Sequence, residues 1–305
     1  MIFDLIIVGG GPSALSAALY AGRYKTKTLL VTDFFGGLAA VAGKIENYPG
    51  FKTIDGHELI EQMVKQVKAL ESVTTKEGSP VEKISDIKDG FVVRLAHAQY
   101  KAKAVLVCTG KKPRQLGIAH EDDLVGRGLS YCSTCDGPLS KGRDVIVIGG
   151  GRSATESALN LEKIASSVTI ININPKLEGE VLTLDKLTKS NRINIINNAK
   201  TTDFILDNMT IKGIRCELSS GRSIEITGQM VFIEIGQQAD PKPFKDLVKT
   251  TKDGEIVVDL KTNRSSKEGI FASGDITDIN FKQIVIAAGE GAKAAMSIHQ
   301  YLKSQ

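Results

Sequence analysis

With 305 residues, 42% hydrophobic and 24% charged, the chain is long enough for two domains, each with its own core, since domains run ~100–200 residues. A net charge of +4, with no Lys/Arg cluster set among stacking aromatics, does not describe a nucleic-acid surface, and no apolar run approaches the ~20 residues that cross a bilayer. Neither nucleic acid nor membrane is an expected partner, and the opening Met1-Ile2-Phe3-Asp4 enters a strand with no room for a secretion signal, so a cytoplasmic location is expected.

The first predicted strand, from Asp4 to Val8, runs into Gly9-Gly10-Gly11-Pro12-Ser13-Ala14 and then into an alanine-rich helix over Ser13–Arg23. In this G-x-G-x-x-A loop the first glycine permits a tight turn and the second lets backbone approach a pyrophosphate. The small Ala14 lets the helix pack close to the strand, with its free N–H groups aimed at the phosphates. A second strand over Lys27–Thr32 ends at Asp33, where an acid can accept hydrogen bonds from an adenosine ribose or serve only as a surface turn. Phe34–Gly37 is a glycine turn and Glu46–Phe51 a rigid one. Asp55 opens a helix through about Leu70, with Leu59, Met63, Val67 and Leu70 near helical spacing. Val81–Ile84, Phe91–Leu95 and Tyr100–Lys103 predict an antiparallel meander inserted into this first unit. The run from Ala104 to Gly110 predicts a buried strand ending in Thr109-Gly110, in which Cys108 is a packed core thiol. The basic run Lys111-Lys112-Pro113-Arg114 reads as a solvated connector leaving the first domain.

Beyond the connector, Tyr131–Pro138 reads YCSTCDGP. Two cysteines at the Cys132/Cys135 spacing can close a small ring and open it again, and the carboxyl of Asp136 can move the proton this chemistry requires. Asp136 also reads as a turn residue before Gly137-Pro138. Half of a zinc site is the other reading of the pair, but Cys108 and Cys216 are isolated and the four histidines scattered, so no metal is expected. The opening motif then recurs, displaced by 140 residues, as Asp144 to Ile148 followed by Gly149-Gly150-Gly151-Arg152-Ser153-Ala154. One such loop is a weak signal; two, each after a run of β-branched residues, predict an α/β chain of two Rossmann-like three-layer nucleotide-binding domains. Gly149, Gly151, Arg152 and Ser153 are candidates for a dinucleotide pyrophosphate, although Arg152 can instead pair with Glu156 at i,i+4. Val145–Ile148, Val168–Ile171, Ile193–Ile196 and Val231–Ile235 are the predicted strands of this unit, and Cys216 reads as strand filler. In the tail, Glu255–Val258 is a predicted strand. A second ends at the Gly274-Asp275 corner, suited to a hydroxyl-rich ligand, and a helix runs from Gln283 to about Leu302. The tail returns to the first domain, giving 1–112 with 241–305 as one domain and 113–240 as an insertion.

GGGPSA, the ENYPGF turn, SYCSTCDGP, GGGRSA and the tail GIFASGDIT with KQIVIAAGEGAKAA together resemble the low-molecular-weight, flavin-dependent thioredoxin reductases of the pyridine nucleotide-disulfide oxidoreductase class, over nearly the whole chain. The resemblance implies FAD held by the outer segments, a smaller pyridine-nucleotide domain carrying the dithiol, a homodimer, and a thioredoxin-like partner. It implies that Gly9, Gly11, Pro12 and Ser13 hold the FAD pyrophosphate and that Asp33, Gly37, Thr109, Gly110 and Gly274 lie along the cofactor. Asn47 would contact the flavin side, Asp275 the ribityl and phosphate, and Lys282, Gln283 and Ile284 the ring carbonyls. Leu38 stands where the family has Gln. Cys135 is implied as the sulfur nearer the flavin, Cys132 as the thiolate that attacks thioredoxin, and Asp136 as its acid.

The chain departs from the family at the donor site. Where the family carries a His-Arg-Arg triplet, this sequence has Asn172-Ile173-Asn174-Pro175-Lys176, followed by Glu178 and Glu180. A 2′-phosphate normally recruits arginine forks, so NADPH is disfavoured, and Asn172 is a neutral substitute for the acid that NADH calls for. Weak NADH or NADPH use, another pyridine nucleotide, and direct reduction by a protein such as ferredoxin all stay open. A flavin-bound redox sensor is the remaining alternative, disfavoured because a sensor needs no second nucleotide domain.

Overall fold

The computed structural model describes residues 2–42 and 44–305, and the chain divides into two compact units, Met1–Lys112 with Gln238–Gln305, and Pro113–Gln237. In the first unit β1 (Ile2–Val8) leads through α1 (Pro12–Arg23) to β2 (Thr28–Val31). A small ribbon of β3 (Lys44–Ile45) and β4 (Ile54–Asp55) precedes α2 (Gly56–Lys68), β5 (Val73–Lys76), β6 (Val81–Ile87), β7 (Gly90–Leu95) and β8 (Ala98–Val107). The chain leaves through β9 (Lys112–Pro113). In the second unit come α3 (Glu121–Leu124), β10 (Leu129–Ser130), α4 (Ser133–Asp136), β11 (Asp144–Ile148), α5 (Arg152–Glu162), β12 (Ser167–Ile171), α6 (Val181–Lys189) and β13 (Ile193–Ile196). Strands β14 (Ala199–Asp207), β15 (Thr210–Leu218), β16 (Ser223–Thr227) and β17 (Met230–Ile233) follow. The chain crosses back through β18 (Gln237–Gln238), which pairs with β9, and ends with β19 (Ile270–Ala272) and α7 (Ile284–Lys303).

The first sheet has the order β5-β2-β1-β8-β7-β6, with β19 also on β8. Its parallel register aligns Val8 with Val31 and Val107, and Val107 with Ala272. Four strands therefore end level with one another, and the residues just beyond them form one rim. The second sheet, β10-β17-β11-β12-β13, repeats this: Ile148 aligns with Ile171 and with Ile233. The central strands are apolar without alternation because a parallel sheet covered on both faces has no solvent side. Accordingly, Leu5, Ile7 and Leu106 belong to one core cluster of the first unit, while Ile6, Val8 and Val107 belong to another.

Three expectations are corrected. Tyr100–Lys103 and the run from Ala104 form one strand, because the polar-alternating half of β8 pairs antiparallel with β7 while its apolar half pairs parallel with β1 and β19. Glu255–Val258 is not a strand: Ile256 makes only isolated bridges to Thr250 and Thr277, and Val257 points to solvent. Lys111 is not a solvated connector residue, since it is largely buried and paired with Glu255 at 2.7 Å. The strand read around Cys216 is β15, but its antiparallel partners β14 and β16, and helix α6, were not legible as elements in the sequence.

Candidate functional site

The rim of the first sheet is shaped by glycine. Gly9 has φ +123°, and a Cβ there would lie 2.2 Å from the Cys108 carbonyl oxygen, so only glycine lets the loop cross the end of β8. Helix α1 starts at Gly11 with no side-chain cap, leaving the N–H groups of its first turn directed out of the helix. Gly36 donates its N–H to Gly10 O at 2.8 Å, which brings the Phe34–Leu38 turn over the loop, and a Cβ on Gly37 would touch Gly11 Cα at 3.8 Å. Asp33 is exposed just past β2, beside Thr32, whose hydroxyl caps Phe34 O at 2.7 Å. Thr109 and Gly110 follow β8, and a Cβ on Gly110 would meet only open space.

Beyond β19, Ser273 bonds Ser13 Oγ at 2.6 Å, and a Cβ on Gly274 would press on Ser13. The half-buried Asp275 carboxylate accepts no hydrogen bond from the described residues; burial pushes its pKa up, against the pull of Lys282 and Lys111. Lys282 Nζ donates to the Asp275 and Thr277 carbonyls and sits 3.3 Å from Glu255, which also holds Lys111. Burial pushes Glu255 up, but the two lysines outweigh it and hold the carboxyl below its usual range. Gln283 is the N-cap residue of α7, next to Ile284, and its side-chain oxygen accepts from Asn47 Nδ2 at 3.1 Å. Thus Asn47 and Gln283, 236 positions apart, are in contact. Leu38 is half-buried in the short 3-10 turn Gly37–Ala39.

In the second unit Cys132 and Cys135 form a disulfide, with Cα atoms 5.3 Å apart. Cys132 is the N-cap of α4 and its sulfur accepts the Cys135 N–H at 3.1 Å, a position that favours negative charge on that sulfur. Cys135 is exposed and Cys132 half-buried; Asp136 ends the same turn, its N–H on Cys132 O at 3.1 Å. Two supports that sequence reasoning missed hold the motif. The buried Glu121 accepts N–H groups from Leu116 and Gly117 at 2.8 and 2.7 Å and the Tyr131 hydroxyl at 2.6 Å. Burial, with Glu121 alongside, raises the Tyr131 pKa, so this hydroxyl stays protonated. On the other side Ser133 Oγ meets Ser157 Oγ at 2.6 Å, and Ser157 donates to Glu234 at 2.8 Å. The signal for these supports is tertiary: each joins residues from different elements.

The polar side chains around the second glycine loop are paired with one another, while a Cβ on Gly151 would meet only open space. Arg152 pairs with Glu156 at 2.7 Å and with Glu180 at 3.2 Å. Asn172 is 1% exposed and bonds Lys176 O, Asn197 and the Asn174 N–H. Gly149 again crosses a strand end, 2.2 Å from the Glu234 carbonyl, and Ser153 hydrogen-bonds the Glu234 carboxylate. The other thiols are structural: burial pushes Cys108 up to about 11 and raises Cys216 as well. Among the described residues no group of three or more His, Cys, Asp or Glu side chains is set to hold a metal, and no helix is long and apolar enough to cross a membrane.

Residues 3–291 match the family model of the pyridine nucleotide-disulphide oxidoreductases. The chain belongs to that family. Thioredoxin reductase of Bacillus subtilis is 33% identical over 304 residues, covering 99% of this chain and 95% of that protein. An alkyl hydroperoxide reductase component of Pseudomonas putida is 36% identical over 307 residues, covering 98% of this chain but 58% of that protein, so this chain spans little more than half of that relative. The crystal structure of Lactococcus lactis thioredoxin reductase superposes with a TM-score of 0.90 at 32% identity, covering 99% of this chain and 100% of that one. As a pyridine nucleotide-disulphide oxidoreductase the chain is an FAD-dependent oxidoreductase with two Rossmann-like domains and a redox-active disulfide. The first unit suits the cofactor: an uncapped helix start, glycines where a Cβ would close the cradle, and an unbonded carboxylate for hydroxyl groups at Asp275.

Proposed function

We propose that the protein is a thioredoxin-disulfide reductase: it reduces the disulfide of a thioredoxin-like protein through Cys132 and Cys135. The observation that carries this reading is the Cys132–Cys135 disulfide at the start of a one-turn helix, with one sulfur capping the helix and Asp136 in the same turn. FAD, when bound, supplies the two electrons that open this disulfide. Gly9, Gly11, Pro12 and Ser13 would hold its pyrophosphate, with Gly37, Leu38, Thr109, Gly110 and Gly274 around them. Asp33 and Asp275 would take its hydroxyls, and Asn47, Lys282, Gln283 and Ile284 would stand along its flavin side.

From the reduced dithiol the chain's own residues do the rest. The Cys132 thiolate, favoured by the Cys135 N–H, attacks one sulfur of the partner's disulfide. That bond breaks, a mixed disulfide forms, and the departing partner thiolate takes a proton from Asp136. The Cys135 thiolate then attacks Cys132 Sγ, expelling the second partner thiolate and restoring the Cys132–Cys135 bond. Ser133–Ser157–Glu234 and Tyr131–Glu121 hold the helix between these strokes. The test is reduction of oxidised thioredoxin by chemically reduced enzyme against Cys132→Ser; equal rates would sink the proposal.

NADPH is a poor donor in this reading. The segment that would meet a 2′-phosphate offers Lys176 against Glu178 and Glu180, and the buried Asn172 is spent on its own loop. A reduced ferredoxin is the alternative donor. Anaerobic titration with NADPH, NADH and reduced ferredoxin, watching the flavin bleach, separates them; fast bleaching by NADPH at micromolar concentration overturns the reading. A homodimer in the cytoplasm is part of the same proposal, and sedimentation of the pure protein tests the dimer.

A further inference from the structure

The two units are built by the same rule up to one residue. Cys108 follows Val107, the partner of Val8, and donates its N–H to Val8 O at 2.7 Å. Glu234 follows Ile233, the partner of Ile148, and donates its N–H to Ile148 O at 2.7 Å. A Cβ on the first glycine of each loop would lie 2.2 Å from the carbonyl oxygen of that same residue. Ser13 and Ser153 are also equivalent. In the first unit Ser13 Oγ lies 3.6 Å from the neutral Cys108 thiol; in the second Ser153 Oγ bonds the Glu234 carboxylate, which Ser157 bonds as well.

From this comparison we propose that Glu234 is a specificity-determining residue: its carboxylate takes the anion seat of the second glycine loop and bars a dinucleotide pyrophosphate from it. A helix N-terminus favours an anion close to its first turn, and the Ser153 hydroxyl of that turn already holds the Glu234 carboxylate. A pyrophosphate would have to displace the carboxylate from two hydroxyls or approach it as a like charge in a partly desolvated corner. The one cation in the loop, Arg152, is held by Glu156 and Glu180. The chain after β12 closes over the loop as well, with the Glu178 N–H on Gly150 O at 2.7 Å. The second unit is thus a dithiol carrier whose nucleotide loop is guarded by a carboxylate on its first helical turn. This inference rests on the reading of that unit as the bearer of the redox pair and adds why a nicotinamide donor would bind weakly.

The test is calorimetric titration of the full-length, FAD-loaded protein in its oxidised state with NADPH and, separately, NADH. Wild type is expected to show no saturation below about 1 mM. Glu234→Ala removes the carboxylate, and Glu234→Gln removes only its charge; each is expected to bind at least one of the two nucleotides about tenfold more tightly or better. Saturation of wild type at micromolar nucleotide overturns the inference, and so does affinity unchanged in both variants with flavin content and melting temperature near those of wild type. If one variant does not fold, the other decides. The outcome is separable from the proposed function: failure of chemically reduced wild type to reduce thioredoxin would sink that function and leave the binding result to be read by itself.

Discussion

Four cysteines occupy two chemical worlds. Cys108 and Cys216 are buried thiols whose pKa values are raised by burial, so neither supplies a thiolate at neutral pH. Cys132 is held at a helix start, where the thiolate is favoured. This predicts an asymmetry: Cys135→Ser should accumulate a stable mixed disulfide between Cys132 and thioredoxin, because attack proceeds but resolution cannot, whereas Cys132→Ser should trap none. Non-reducing electrophoresis of reduced variants mixed with oxidised thioredoxin reads this directly; the opposite pattern would reverse the roles. Asp275 gives a second prediction. Burial raises its pKa, so its folded state gains from protonation below the ordinary value of 3.8, and this contribution is lost as pH rises through the raised value. At neutral pH the buried charge opposes folding of the apoprotein. Asp275→Asn should therefore melt higher than wild type as apoprotein at pH 7, with the gap closing below about pH 4, while holding FAD at least about tenfold less tightly. Lower apoprotein stability at pH 7 together with unchanged FAD affinity would contradict both halves.

The elements that matter most are α1 and α7, which meet backbone to backbone. A Cβ on Gly291 would come within 2.0 Å of the Ser13 carbonyl oxygen, at the first turn of α1. Gly291→Ala should push the helices apart, costing ~1–3 kcal/mol by overpacking and loosening the Ser13–Ser273 contact of the proposed FAD cradle. Gly289→Ala on the same helix has open space and should be neutral or slightly stabilising. Melting curves and flavin content of the two variants check this, and equal behaviour would refute it. Much at this scale was legible in the sequence. The β-branched runs before both glycine loops, the acid that caps α2 at Asp55, and the alanine-rich tail helix each announce their state through local chemistry. What could not be read depends on distant partners. Nothing near Lys111 points to Glu255, nothing near Tyr131 shows Glu121 buried beneath it, and Glu234 looks like a strand-end acid until the register sets it on Ser153 and Ser157. The two strands missed beside β15 have a similar cause: Ala199–Asp207 and Ser223–Thr227 are mixed in polarity and are held by their pairing with β15.

At the scale of the molecule, the duplication explains both what the units share and how they differ in assembly. The second unit is continuous in sequence. Its five-stranded sheet, its antiparallel sheet and both of its core clusters draw only on residues within Pro113–Gln237. The first unit is interrupted: β19 pairs with β8 and α7 packs on α1, yet both come from the segment after Gln238, and Ile256, Ile270 and Ile276 complete one of its cores. A chain cut at the crossings therefore should behave unequally. The fragment 113–237 should melt cooperatively and cycle its Cys132–Cys135 bond with added dithiol, because no backbone partner of its sheets is lost. The fragment 1–112 should show no cooperative transition, since the parallel neighbour of β8 and the cover of α1 are missing, leaving apolar faces exposed to water. Mixing it with 238–305 should restore a transition, and only the mixture should take up FAD, because Asp275 and Gln283 lie on the second piece. Circular dichroism melts and flavin fluorescence of the three samples decide the matter. A non-cooperative 113–237, or a 1–112 that folds and binds FAD alone, would show that the units do not carry their stability in the way their separate cores imply.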